Sequence, residues 1–303
     1  MDLRAIAMGL AFALMWSSAF ASARIIVADA SPLFSLALRF LISGILGVGI
    51  AWAIGQTWRL TRAQWRATIL FGICQNALYL GLNFVAMQTV EAGLAAIIAS
   101  TMPLLVALAS WLIFREKLGA LGIAGLAAGF VGVALIMGTR LEAGVDPHGV
   151  ALCLIGVLAL TFATLALRGA TSGGNFLMVV GLQMLVGAAV LFVVALAIET
   201  PRVEPSWTLL LAFLYTTLVP GLAATLVWFL LVNRIGAIRA ATFHFLNPFF
   251  GVSIAALLLG EALGPRDILG VAIITAGILA VQLARQSGRA RLGQDQAAEG
   301  PKR

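Results

Sequence analysis

Apolar runs of roughly 18 residues or more recur in this sequence almost from end to end, and each can cross ~30 Å of hydrocarbon as a helix. A fraction of 62% hydrophobic against 10% charged residues lies far outside the range of water-soluble chains. The runs fall at 5–23, 32–54, 67–87, 92–114, 119–138, 149–167, 175–198, 208–232, 237–259 and 267–284. Most connections are short, so successive helices are expected to be antiparallel neighbours. The polar stretch 285–303, rich in Gly, Gln, Ala and Arg, is expected to be a disordered tail.

Residues 92–132 return without a gap as 237–277, an offset of 145. Pro103 falls on Pro248, Glu116 on Glu261, Leu118-Gly119 on Leu263-Gly264, Gly125 on Gly270 and Gly132 on Gly277. The Pro and Glu matches weigh most, because both residues are costly in or beside an apolar helix and are rare here. The offset spans five helices, an odd number, so the second copy lies upside down relative to the first. The expectation is an all-α integral membrane protein with ten transmembrane helices as a 5+5 inverted repeat. Residues 1–138 form the first unit and 139–284 the second, the architecture by which many secondary transporters expose one site to either side in turn. Ala21-Ser22-Ala23 after the first run has the look of a signal-peptide cleavage site. Trp16-Ser17-Ser18 interrupts that run and cleavage would unpair the repeat, so we read the segment as retained.

Lysine and arginine set the orientation. With the N-terminus in the cytoplasm, fourteen of these residues fall inside: Arg4, Arg59, Arg62, Arg66, Arg115, Lys117, Arg168, Arg234, Arg239 and five in the tail. Four fall outside, Arg24, Arg140, Arg202 and Arg266, while Arg39 lies within a helix. Both termini are therefore expected in the cytoplasm. The net charge of +7 is scattered over short loops and the tail, with no basic stripe interleaved with aromatics, so no nucleic-acid partner is expected.

Trp16-Ser17, Arg39, Pro103, Arg115-Glu116, and Gly125, Gly129 and Gly132 resemble the repeat unit of the EamA-type drug/metabolite transporter superfamily. Pro248, Gly260-Glu261, Gly270 and Gly277 supply the second copy. The resemblance covers the chain except its tail, and the aromatic amino-acid exporters of the YddG type are the members most similar in pattern. It implies ten helices, a cell inner-membrane location and export of metabolites, with amino acids a frequent cargo. It also implies a central cavity among helices 1, 3, 4, 6, 8 and 9, with 2, 5, 7 and 10 in support. The second copy departs from the pattern, with Gln183 answering Arg39 and no Trp-Ser pair in helix 6, which leaves the cavity asymmetric and the substrate open.

Polar side chains in hydrocarbon are costly and are expected to face the bundle interior or a wet cavity. In helix 3, Asn76, Tyr79 and Asn83 stand at i, i+3 and i+7 on one helical face, flanked by Gln75 and Cys74. In helix 9, His244, Asn247, Pro248 and Gly251 share a face, and Pro248 cannot donate to the carbonyl of His244. Pro103 treats Ala99 the same way beside Ser100 and Thr101. Pro-broken helices at matching repeat positions point to a transporter's binding region, or else mark packing kinks. His244 is a candidate for binding substrate, for carrying a proton or for satisfying a neighbour.

Phe12, Trp16, Phe20, Tyr79, Trp228, Phe243 and Phe245 are candidates to line an apolar cavity, with Trp16 and Tyr79 the strongest because polar residues surround them. The expected transport path is thus Trp16, Ser17, Asn76, Tyr79, Asn83, Ser100, Thr101, Pro103, Trp228, His244, Asn247 and Pro248. Arg39 is the one clearly intramembrane charge, costing ~2.5–3.5 kcal/mol at a helix centre unless compensated, and is read as structural, gating or attracting a carboxylate. Glu116 and Glu261, at helix breaks, are read as structural turn residues.

No Asp or Glu lies in mid-membrane, so the usual carboxylate relay for protons or sodium is not expected, and no G-x-x-x-x-G-K-[ST] loop is present, so neither is direct ATP drive. Cys74 and Cys153 sit in apolar runs, and nothing resembles paired catalytic carboxylates or a His/Cys metal cluster. No cofactor, metal or enzymatic activity is expected. The reading is a secondary transporter exporting small organic metabolites, aromatic or branched amino acids foremost, by alternating access. The alternatives are a membrane-embedded enzyme or lipid-handling protein, or an exporter of drugs or other metabolites. Expected partners are a small-molecule substrate and the lipid bilayer, with the chain a monomer.

Overall fold

The computed structural model describes residues 2–116, 118–167 and 173–298, with the side chains of 237, 238 and 287–298 excepted. Lys117 and Arg168, both counted above as inner charges, lie outside the described residues, as does the end of the tail from 299.

Among the described residues ten helices are long and apolar enough to cross a membrane. They are α1 (Leu3–Asp29), α2 (Pro32–Ala53), α3 (Arg62–Ala86), α4 (Ala92–Phe114), α5 (Ala120–Glu142), α6 (Pro147–Ala166), α7 (Phe176–Ile198), α8 (Trp207–Ile235), α9 (Arg239–Leu259) and α10 (Pro265–Ala298). Among the described residues the only strand-like pairing is one bridge, Ala30 with Val203. With ten crossings, α1 begins and α10 ends at the same end of the bundle, here the near end. α10 is helical to Ala298, where a disordered tail from 285 was expected. Ala, Arg and Gln are good helix formers, so a helix already nucleated in the bilayer propagates into the polar stretch.

Two tight pairs flank the bundle, α2 with α7 and α5 with α10. Glycine permits the second: a Cβ at Gly125 would meet the Gly277 carbonyl at 2.8 Å, and one at Gly132 the Gly270 carbonyl at 2.9 Å. Without water to expel, close van der Waals packing over small residues is what holds membrane helices together. α1 runs through the middle, against α4, α8 and α9.

Features 145 residues apart correspond in backbone as well as in sequence. Arg115 and Gly260 end α4 and α9 in the left-handed conformation, at φ 53° and 68°. Pro103 and Pro248 each sit at the start of a helical piece, Met102–Phe114 and Asn247–Leu259. α3 and α8 each contain a π-helical stretch, Gly72–Tyr79 and Val219–Ala223.

The far end is closed by polar ties across the chain. Glu199 accepts the Leu33 and Phe34 N–H groups at 2.9 and 3.0 Å, at the N-terminus of α2. Glu261 accepts those of Ala92 and Gly93 at 2.7 and 2.9 Å, at the N-terminus of α4. Arg140 bridges Glu91 at 2.6 Å and Asp267 at 3.2 Å, joining α4, α5 and α10. Arg24 donates to the Met87 carbonyl, and Ser31 pairs with Arg202 beside the Ala30–Val203 bridge. The structural reading of Glu261 agrees with this geometry.

At the near end Arg234 of α8 grips Asp2, which also caps α1 through the Ala5 N–H. The Arg234 and Ala5 bonds hold the Asp2 carboxyl at about 2, below its ordinary value. A carboxyl with a depressed folded pKa contributes stability above its unfolded pKa and loses it as pH falls towards the folded value. Asp2→Asn is therefore expected to lower the melting temperature by about 1–2 °C at pH 7, as for an exposed pair, with the difference fading between about pH 4 and 2. Thermal unfolding in detergent at both pH values checks this.

Candidate functional site

A cavity of about 670 Å³ runs from the near end of the bundle past its middle. Its mouth is at the near end, marked by Gln64 at the start of α3, Leu167 after α6 and Phe176 at the start of α7. Its deepest residues, Phe20, Arg39, Phe40, Leu80 and Ser100, stop short of the far-end ties. The volume suits a small organic molecule.

Eight of the expected path residues line it: Trp16, Asn76, Tyr79, Ser100, Pro103, Trp228, His244 and Asn247. Ser17, Asn83, Thr101 and Pro248 do not. The Ser17 hydroxyl donates to the Asn247 carbonyl at 3.4 Å, tying α1 to α9. Thr101 is buried and donates to Ile98 at 2.6 Å, and Pro248 is buried behind the wall. Asn83 donates to the Tyr79 carbonyl at 2.7 Å and packs on Gly156 of α6. Its departure from the face of Asn76 and Tyr79 has a physical cause: i→i+5 bonding over Gly72–Tyr79 turns less per residue than an α-helix, so the 3.6-residue period slips.

α2 and α7 also contribute to the wall, through Arg39 and Phe40 and through Phe176, Val179, Val180, Gln183 and Met184, which corrects the expectation that they only support. They reach it because α3 lies tight on α7: a Cβ at Gly187 would stand 2.4 Å from Asn76 Cβ, and one at Gly72 2.8 Å from the Gln183 carbonyl. Asn76 Nδ2 donates to that same carbonyl at 2.9 Å. Gln64, Thr164, Thr225, Phe71 and Phe176 are lining residues that sequence reasoning missed. Gln64, Thr164 and Phe176 lie near helix ends, where periodicity has no second turn to support it, while Phe71 and Thr225 flank the π-helical stretches of α3 and α8, where the period slips.

The carbonyl of His244 is not left free by Pro248. The backbone tightens to a 3₁₀ turn over Thr242–Leu246, and the Asn247 N–H reaches back to it. Asn247 Nδ2 lies 3.0 Å from His244 Nδ1, so with the amide nitrogen facing the ring Nδ1 accepts and the proton of a neutral ring sits on Nε2. The His244 ring packs edge-on to Phe12 at 5.2 Å and tilted against Trp228 at 5.1 Å. Phe12 in turn meets Trp228 at 4.7 Å and Trp16 at 5.7 Å. Phe243 and Phe245 stay off the wall, packed among α1, α8 and the main core.

Among the described residues, no carboxylate lines the cavity and no group of three His, Cys, Asp or Glu is placed to hold a metal. The wall is thus rings and aliphatic side chains, amides and hydroxyls, and the single cation Arg39.

The profile described as the EamA-like transporter family matches residues 3–138 and again 147–283. The "Uncharacterized inner membrane transporter YedA" of Escherichia coli K12 is 28% identical over 286 residues, covering 91% of this chain and 90% of its own. The "Uncharacterized transporter YvbV" of Bacillus subtilis is 25% identical over 278 residues, with 91% of each chain covered. "Protein PecM" of Dickeya dadantii is 23% identical over 87% of this chain and 86% of its own. One solved crystal structure superposes with a TM-score of 0.67 at 22% identity, covering 94% of this chain and 99% of that one, a likeness of fold.

Proposed function

This chain belongs to the EamA-like transporter family, and from that premise we propose that it is a secondary transporter of the cell inner membrane that exports small organic metabolites, amino acids with aromatic or branched side chains foremost, by alternating access. The observation that carries the reading is the one-ended cavity: a chamber of about 670 Å³, lined from eight helices, that opens at the near end and stops at the tied far end. The Lys and Arg count supports a cytoplasmic near end, with both termini on that side.

An inverted repeat supplies the other half of the cycle. The family profile matches the chain twice, the left-handed helix ends and the helix-starting prolines recur at the same offset, and α3 and α8 each carry a π stretch. Two copies of one unit in opposite orientation allow the same chamber to open at either end by exchanging conformations. The Phe12, Trp16 and Trp228 rings suit an aromatic or branched side chain by stacking and desolvation.

The test is counterflow in proteoliposomes. Vesicles preloaded with an unlabelled amino acid are expected to accumulate the labelled one transiently and saturably, and an imposed pH gradient to report whether protons are coupled. Flux without counterflow would indicate a channel. Chemical alteration of the solute would indicate an enzyme, and silence across aromatic and branched amino acids would remove them as cargo.

A further inference from the structure

We propose that Arg39 is the anion receptor of the cavity and that the protein selects cargo by a single carboxylate attached to an apolar or aromatic body, without requiring an α-amino group. The inference rests on the transport reading above and says which group of the cargo is recognised.

Arg39 is 5% exposed and forms part of the deep cavity wall on α2. Its Nε is buried without a hydrogen-bond partner, and among the described residues no hydrogen bond or ion pair reaches its guanidinium. The ring of Phe40 lies 5.1 Å from Arg39 Cζ. A buried cation in a membrane protein is ordinarily paired, and a cation left unpaired beside a cavity calls for a counter-ion from the cavity itself. At the far end Glu199 is already engaged on the N-terminus of α2 and Asp267 on Arg140.

A glycine brings bare backbone beside the guanidinium. On the facing α8, a Cβ added to Gly221 would stand 3.7 Å from Arg39 Nη2 and 3.3 Å from Ser43 Oγ. A planar fork of N–H donors matches a carboxylate in two parallel bonds, and one guanidinium neutralises one charge. Nearer the mouth, the rings of Phe12, Trp16 and Trp228 pack against one another and His244, offering an apolar enclosure for the rest of the molecule. An ammonium group has no carboxylate to meet there. Its partners would be the neutral amides of Gln75, Asn76 and Gln183. Charge recognition in this chamber is one-sided.

The experiment uses the full-length protein and four probes of one shape: phenylalanine, 3-phenylpropionate, phenylalaninamide and phenethylamine. Each competes in counterflow and is titrated against the fluorescence of the protein's tryptophans, two of which line the chamber. We expect 3-phenylpropionate to compete within a few-fold of phenylalanine, and the two probes without a carboxylate to be weaker by about tenfold or more, as for a lost charge-assisted bond. Arg39→Gln should abolish that discrimination, Arg39→Lys should retain part of it, and ligand-free Arg39→Gln should melt higher than the parent because an unpaired buried cation is removed.

If 3-phenylpropionate is as poor as the amide, the amino group is required and the proposal is overturned. It is equally overturned if the parent protein carries all four alike, a result that needs no variant to fold. A lower melting temperature for ligand-free Arg39→Gln with unchanged discrimination would make Arg39 structural. Absence of counterflow with every solute, while the parent still binds the carboxylates, would instead sink the transport reading and leave the receptor standing.

Discussion

Gly277→Leu is expected to yield no monodisperse protein after detergent extraction, whereas Gly138→Leu, one helix away, is expected to behave as the parent. A Cβ at Gly277 would stand 2.7 Å from the Gly125 carbonyl oxygen, 2.7 Å from the Gly129 nitrogen and 2.9 Å from the Gly129 Cα. All three are backbone atoms of α5, so no side-chain rotation relieves the overlap. Overpacking a well-filled interior costs about 1–3 kcal/mol, and more where backbones must part. Here parting removes the close contact on which a membrane helix pair depends. Gly277→Ala should already lower the melting temperature, because its single methyl meets those same atoms. At Gly138 a Cβ would find open space, which makes it the control. Size-exclusion profiles decide the matter: a sharp monodisperse peak for Gly277→Leu would refute the close-packing argument.

The second large effect belongs to Glu261. Its two oxygens accept two N–H groups that open α4, so Glu261→Ala removes both bonds and the charge that complements that helix N-terminus. Two bonds to a charged acceptor amount to about 3 kcal/mol or more, and we expect a fall of roughly 5–10 °C in melting temperature. Glu261→Gln keeps one acceptor oxygen and should lie between. Gly93→Ala approaches the same interaction from the other side, since its Cβ would stand 2.9 Å from Glu261 Oε2. Melting curves for the three variants should rank in that way. An unchanged curve for Glu261→Ala would mean that the tie contributes nothing to closing the far end.

How much of the site could be read in the sequence differs residue by residue. Asn76, Tyr79, His244 and Asn247 were found because polar groups in apolar runs have few tolerable places to go. Asn83 obeys the same rule but satisfies it at the α3–α6 contact, because the π-helical stretch before it shifts the face it occupies. Arg39 was visible as a charge, but its place in the wall depends on α2 lying beside α8. Pro248 marked the break in α9 correctly, while the carbonyl it was expected to free is taken up by a tightened turn.

What the chain alone determined is what hydrocarbon demands of every segment separately: ten apolar helices, their alternating direction, and the Pro, Glu and Gly positions shared by its halves. Each helix satisfies its own backbone, so that requirement is local and legible. Which face of each helix meets the chamber, and which end of the bundle is closed, is decided between residues far apart in sequence. Glu261 caps α4 from 169 residues away, Glu199 caps α2 from 166, and the Gly125–Gly277 approach seals α5 to α10. Such pairings depend on the relative position of whole helices, and only the tertiary structure supplies it.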